Sequence, residues 1–209
     1  MIKKIILAAL FIISIQCFGF SQNKHSALAG NWESVEVNSS GRGLHLTIKK
    51  DSSFELDDIL RADYDYLLKG NLLITRLITT AGKTIIDTST FEIKGDSLTS
   101  IFKRDTTVQI IRMVRLNHTE KRNSIVGNWK WRYPNDVMAF SKFTSNGKWL
   151  FRLPTNSRKG KYKTSDSVLE FDYDTKGDKP DKYTYWVKKN ILILTNKDGK
   201  EEMYKRVDY

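Results

Sequence analysis

The chain has 209 residues, of which 40% are hydrophobic and 28% charged, with a formal net charge of +11. Those proportions belong to a globular protein and exclude a disordered one. Three prolines and twelve glycines exclude a fibrous or linker-dominated chain, and the length admits one large or two small domains.

Residues 1–21 read as a secretory signal peptide. Lys3 and Lys4 form a positive start, and Ile5 to Ile15 is an apolar core too short to span a bilayer. Gly19 and Ser21 put small residues at the −3 and −1 positions of a cleavage after Ser21, so the mature chain is expected to begin at Gln22. Cys17 is the only cysteine. Gln16 stands where a lipoprotein signal carries a small residue, which argues against a lipid on Cys17. The expected location is therefore secreted or periplasmic, in a mature chain with no thiol, no disulfide and no apolar run of membrane-spanning length. Cleavage leaves 33 basic against 24 acidic side chains, a balance of +9. The basic residues are scattered among acids, as in Lys49-Lys50-Asp51 and Lys176-Gly177-Asp178-Lys179. That pattern reads as a solvated basic surface and not as a nucleic-acid site, leaving weak attraction to an anionic envelope component.

From residue 28 onward the chain reads as strands. Runs of about five to eight residues rich in β-branched and aromatic side chains are broken by Gly, Asn, Asp and Ser. Asn31 to Val37 opens the series. The alternation of Leu44, Leu46 and Ile48, a turn at 49–53, then Phe54 and Leu56 predict a β-hairpin with one buried face. Tyr64–Leu68, Leu72–Ile78, Thr84–Lys94, Ser97–Phe102 and Thr106–Leu116 follow, separated by turns such as Lys69-Gly70-Asn71 and Gly95-Asp96. The count is about eight short antiparallel strands.

Residues 117–124 are polar throughout and read as a linker. The plan then repeats. Gly127-Asn128-Trp129 restates Gly30-Asn31-Trp32 at an offset of 97 residues. Asn146-Gly147 supplies the hairpin turn, and Trp149 and Phe151 follow it as Phe54 and Leu56 follow theirs. Gly160–Tyr162, Leu169–Tyr173, Tyr183–Val187, Ile191–Leu194 and Glu201–Val207 complete a second set of about eight. The copies close on related phrases, Met113-Val114-Arg115-Leu116 and Tyr204-Lys205-Arg206-Val207. A period this long predicts two sequential domains, 28–116 and 125–207, and not a solenoid.

Gly-Asn-Trp opening an eight-stranded unit resembles the Gly-x-Trp signature of lipocalins. The segment Phe143 to Trp149, Gly160-Lys161-Tyr162 and the closing Tyr204 to Val207 are similar to small lipocalin-like (calycin-like) domains of secreted bacterial proteins. The first copy departs from the pattern: Asp51-Ser52-Ser53 replaces the Asn-Gly turn, and Met113 replaces the closing tyrosine. The resemblance implies an all-β fold of two consecutive eight-stranded up-and-down barrels. It also implies a tryptophan packed under an arginine of the last strand, pairing Trp32 with Arg115 and Trp129 with Arg206. A ligand cavity would come with it, for which Trp149, Phe151, Tyr162, Phe171, Tyr183 and Tyr185 are the candidate lining. Each unit is only about half the length of a ligand-carrying lipocalin, and those aromatics are large enough to fill an eight-stranded interior.

The sequence carries no recognisable catalytic or metal motif. His25, His45 and His118 share no metal-ligand spacing. The acid pairs Asp57-Asp58 and Glu201-Glu202 sit where solvated charges are expected, and Asp174, Asp178 and Asp181 lack the spacing of a calcium loop. No phosphate loop or nucleophile elbow is present. The expectation is a non-catalytic protein without a cofactor. It would be either a binder of a small hydrophobic or lipid-like ligand or a ligand-free module that meets another protein, a hydrolase inhibitor included.

Overall fold

A computed structural model describes residues 27–104, 106–116, 123–134 and 136–208. The expected signal peptide and most of the expected linker lie outside these residues. Among them every regular element is a strand: β1 (Gly30–Ser34), β2 (Arg42–Ile48), β3 (Ser53–Lys69), β4 (Leu72–Ile78), β5 (Thr84–Lys94), β6 (Ser97–Arg104) and β7 (Thr107–Arg115) in the first half. The second half supplies β8 (Gly127–Arg132), β9 (Met138–Phe143), β10 (Lys148–Ser165), β11 (Val168–Tyr173), β12 (Asp181–Lys188), β13 (Ile191–Asn196) and β14 (Glu201–Val207). Each strand pairs with the next, β1 also pairs with β14, and the antiparallel sheet closes into a ring with an additional β3–β10 pairing. No helix among the described residues is long and apolar enough to cross a membrane.

The all-β reading holds, and the alternation that predicted it is the burial pattern observed. Along β9 and β11 every second residue is buried, with Ala139, Ser141 and Phe143 on one and Leu169, Phe171 and Tyr173 on the other. Each half contributes seven strands and not eight. Two expected strands fuse into β3 and two into β10: the chain runs on as strand through Asp57 to Asp63 and through Arg152 to Lys159, neither of which contains a glycine.

That fusion redistributes the halves. The chain forms two compact units, neither of which is a sequential half. Unit one takes the described residues up to Val35, His45–Leu56 and Arg158–Asp208; unit two takes Glu36–Leu44 and Asp57–Ser157. The expected sequential division at 117–124 is therefore not the division of contacts. A hairpin at residue 57 or 152 would have kept each half on its own strands. A strand that runs straight through instead delivers its second part to the other set.

Each unit encloses its own core. In unit one Leu28, Trp32, Leu46, Ile48, Leu169, Leu192, Leu194 and Tyr204 are buried around Phe54 and Phe171, whose ring centroids are 4.6 Å apart. In unit two Leu73, Leu98, Met113, Trp129, Trp131, Phe143 and Trp149 form one cluster. Full burial of such side chains stabilises by about 1.5–3 kcal/mol apiece.

The β2–β3 and β9–β10 turns show how the exchange is stitched. In unit two the carbonyl of Gly147 accepts from the Tyr66 backbone N–H at 2.7 Å, and the Tyr66 hydroxyl donates to the Thr144 carbonyl at 2.8 Å. In unit one the Ser52 carbonyl accepts from the Tyr162 N–H at 2.9 Å, and the Tyr162 hydroxyl donates to the Lys49 carbonyl at 3.0 Å. Ser52 adopts φ 63°, the left-handed conformation that Gly147 takes at 78°. Asp51 makes this tolerable by accepting from both the Ser53 N–H and its hydroxyl.

Candidate functional site

The four signature residues form two closures, with partners exchanged relative to expectation. Arg206 lies over Trp32, its guanidinium carbon 4.1 Å from the ring centroid, and Arg115 lies over Trp129 at the same distance. The expected pairs, Trp32 with Arg115 and Trp129 with Arg206, do not occur. The sheet register explains why: β1 pairs with β14, so Trp32 faces Arg206, and β8 pairs with β7, so Trp129 faces Arg115.

The closures match bond for bond. The Trp32 indole N–H donates to the Leu28 carbonyl at 2.8 Å, and that of Trp129 donates to Ile125 at 2.8 Å. Arg206 donates to the carbonyls of Ala29 (2.7 Å) and Ala27 (2.5 Å), and Arg115 to those of Val126 (2.9 Å) and Ser124 (2.6 Å). Each guanidinium thus ties the entering chain to the last strand while its plane covers an indole face. The signature glycine has a steric cause. Gly30 sits at φ 148° and Gly127 at φ 141°, and a methyl group on Gly30 would run into the Arg206 guanidinium.

The six aromatics expected to line one cavity are divided between the units. Trp149 and Phe151 belong to unit two, where Trp149 stacks against Tyr64 (4.6 Å) and Phe143 (5.2 Å), and Phe151 lies 6.0 Å from Trp131. Tyr162, Phe171, Tyr183 and Tyr185 belong to unit one. There Phe171 meets Phe54 and Tyr183, and Phe54 also meets Tyr173 edge-on at 5.3 Å.

Unit one also holds a polar group that the sequence reading missed. The Tyr173 hydroxyl donates to Asp181 and the Tyr204 hydroxyl to Glu202, both at 2.8 Å. Burial is the main force raising the Tyr183 phenol, to about 12, with the charges of Asp181 and Glu202 adding to it. Tyr173 and Tyr204 are pushed higher still, again chiefly by burial. The alternation of β12 and β14 placed these residues inward, but acids on an inner face are not distinguishable from solvated ones without the fold.

Unit two carries a further feature, a groove of about 360 Å³ between β7 and β8, lined by Ile110, Arg112, Trp131, Arg132, Tyr133 and Pro134 among others. The two strands pair only at Val114↔Lys130 and Arg115↔Trp129 before they part. Among the described residues no group of three or more His, Cys, Asp or Glu side chains is placed to hold a metal ion. Comparison with family models, with curated proteins and with solved structures finds no match to this chain.

Proposed function

We propose that the protein is an exported, non-catalytic interaction module built from two small lipocalin-like barrels, which meets another macromolecule through its surface. Each barrel would take eight strand segments. Unit one uses β1, the end of β2, the start of β3, the end of β10 and β11–β14; unit two uses the rest of β3, β4–β9 and the start of β10. The closing Trp–Arg pairs and the opening glycines support the lipocalin-like reading. Export rests on the sequence of residues 1–21.

The observation that carries the functional reading is the ring packing within each unit. Phe54, Phe171, Tyr173 and Tyr183 contact one another in unit one, and Tyr64, Phe143 and Trp149 stack in unit two. Of the side chains expected to line a ligand cavity, Phe171 and Tyr183 contact each other and Trp149 stacks on Tyr64 and Phe143, which supports recognition at the surface. Native mass spectrometry of the mature protein purified from its source tests this. The bare chain mass is expected; a co-purified apolar molecule would overturn the reading in favour of a carrier of a small hydrophobic ligand.

A further inference from the structure

The repeat gives a residue-by-residue comparison of the two closing ladders. In unit one the ladder runs on past the tryptophan: Glu33 faces Lys205, Ser34 faces Tyr204, and the Val35 N–H donates to the Met203 carbonyl at 2.7 Å. In unit two Lys130 faces Val114, and the pairing then stops. The residues standing where Val35 and Met203 stand are Arg132 and Arg112. Like charges directly opposite each other on neighbouring strands oppose pairing. Pro134, two residues further, has no N–H to offer the ladder. The same two arginines flank the groove.

Register decides what the groove presents. The Leu116 N–H donates to the Asn128 carbonyl, and the Arg115 N–H points the other way, to Asp96. Backbone groups alternate along a strand, so those of Ile110 and Arg112 are directed to the β8 side, into the gap. Ile110 is exposed. Arg132 holds Asp136 in an ion pair at 3.0 Å, but both side chains are largely solvated and the pair is weak.

We propose that this gap is a strand-addition slot for an extended peptide with carboxylate side chains. The peptide backbone would pair with Ile110 and Arg112, its acids would lie between Arg112 and Arg132, and its apolar side chains would cover Ile110 and Tyr133. The proposal deepens the interaction-module reading and rests on it.

The test uses the whole mature chain and an octapeptide alternating valine and glutamate, with a valine–lysine octapeptide as the counterpart. Calorimetric titration and backbone hydrogen exchange provide the readouts. The glutamate peptide is expected to bind and to slow exchange at the Ile110 and Arg112 amides, and the lysine peptide to bind at least about tenfold more weakly. Arg112→Glu places an opposite charge across from Arg132, so it should extend the β7–β8 ladder and abolish binding. Arg112→Glu/Arg132→Glu restores a like-charged pair of the other sign, and should accept the lysine peptide and reject the glutamate one. Failure of the glutamate peptide to bind, binding without protection at Ile110 and Arg112, or binding that survives Arg112→Glu would overturn the slot. A bare chain in the native mass spectrum together with any of those failures leaves the module reading standing. A co-purified apolar ligand removes that reading, while the slot still stands or falls on the peptide alone.

Discussion

The two closures are built from the same parts and differ only at their margins. In both, an indole donates to the carbonyl four residues before it, and an arginine on the facing strand bonds two carbonyls of the entering chain. In unit two the arginine is fully enclosed and has Asp96 at 3.8 Å; in unit one it is half-buried, and the corresponding turn carries Asn190. Beyond the arginine the unit-one ladder continues and the unit-two ladder parts. A short signature therefore fixes an anchor. Its neighbours decide whether the sheet beside that anchor stays shut.

The largest effect should come from separating the halves. Residues 125–209 alone would leave unit one without β1, β2 and the start of β3, and unit two without β3 to β7. No cooperative thermal transition is expected from that fragment. A monomeric fragment that melts cooperatively would mean β10 can fold back on itself and that sequential barrels are accessible to this sequence.

Alkaline pH should discriminate the units next. Tyr162, Tyr173, Tyr183, Tyr185 and Tyr204 of unit one all have raised pKa values, against Tyr66 in unit two. A phenol whose folded pKa lies above the unfolded value near 10 stabilises fully below that value, and its contribution is lost as pH climbs through the folded one. For Tyr183 that window runs from about 10 to about 12. Amide signals of β12–β14 should therefore disappear before those of β4–β6 in an NMR titration. Simultaneous loss would make the tyrosine cluster irrelevant to the difference between the units.

Much of this was legible in the sequence, and what was not has a definable cause. Alternation located nearly every strand, the repeated Gly-Asn-Trp located both anchors, and the closing phrases read with the lipocalin resemblance located both arginines. Partner choice was illegible because Arg115 and Arg206 offer the same chemistry at the same place in each repeat. Which one meets Trp32 depends on whether the chain turns near residues 57 and 152. The lack of glycine there was the available signal, but two strands fused into one look, in alternation, like two strands with a weak turn. The groove could have been found by laying Arg132 and Arg112 over Val35 and Met203, a comparison that has meaning only once β7 is known to face β8.

Exchange of partners is testable by coupling. Trp129→Ala and Trp32→Ala each remove a fully buried indole and should cost about 3–5 kcal/mol. Arg115→Ala should cost on the order of 2–3 kcal/mol, since it strands the carbonyls of Ser124 and Val126 and uncovers the ring. Trp129 and Arg115 should then couple by about 0.5–3 kcal/mol in a double-mutant cycle, whereas Trp129 and Arg206 should be additive within about 0.5 kcal/mol. The reverse pattern in chemical denaturation would return the closures to their sequential halves.

The smallest effect separates the closures by their margins alone. Asp96 stands beside Arg115, its carboxylate oxygen 3.8 Å from the Arg115 Nε, too long for a hydrogen bond but close enough for attraction. Asp96 is partly exposed, so solvent screens the pair, while the arginine it serves is not exposed at all. Asp96→Asn keeps the turn and its backbone bond to Arg115 and removes only the charge. The expected cost is on the order of 1 kcal/mol at low salt, shrinking as ionic strength rises. Asn190→Asp offers the same charge to the half-buried Arg206, where water already competes for it, and should gain no more than a few tenths of a kcal/mol. If the enclosed site is no more sensitive than the open one, burial of Arg115 does not strengthen its acid contact, and the difference between the closures lies wholly in their ladders.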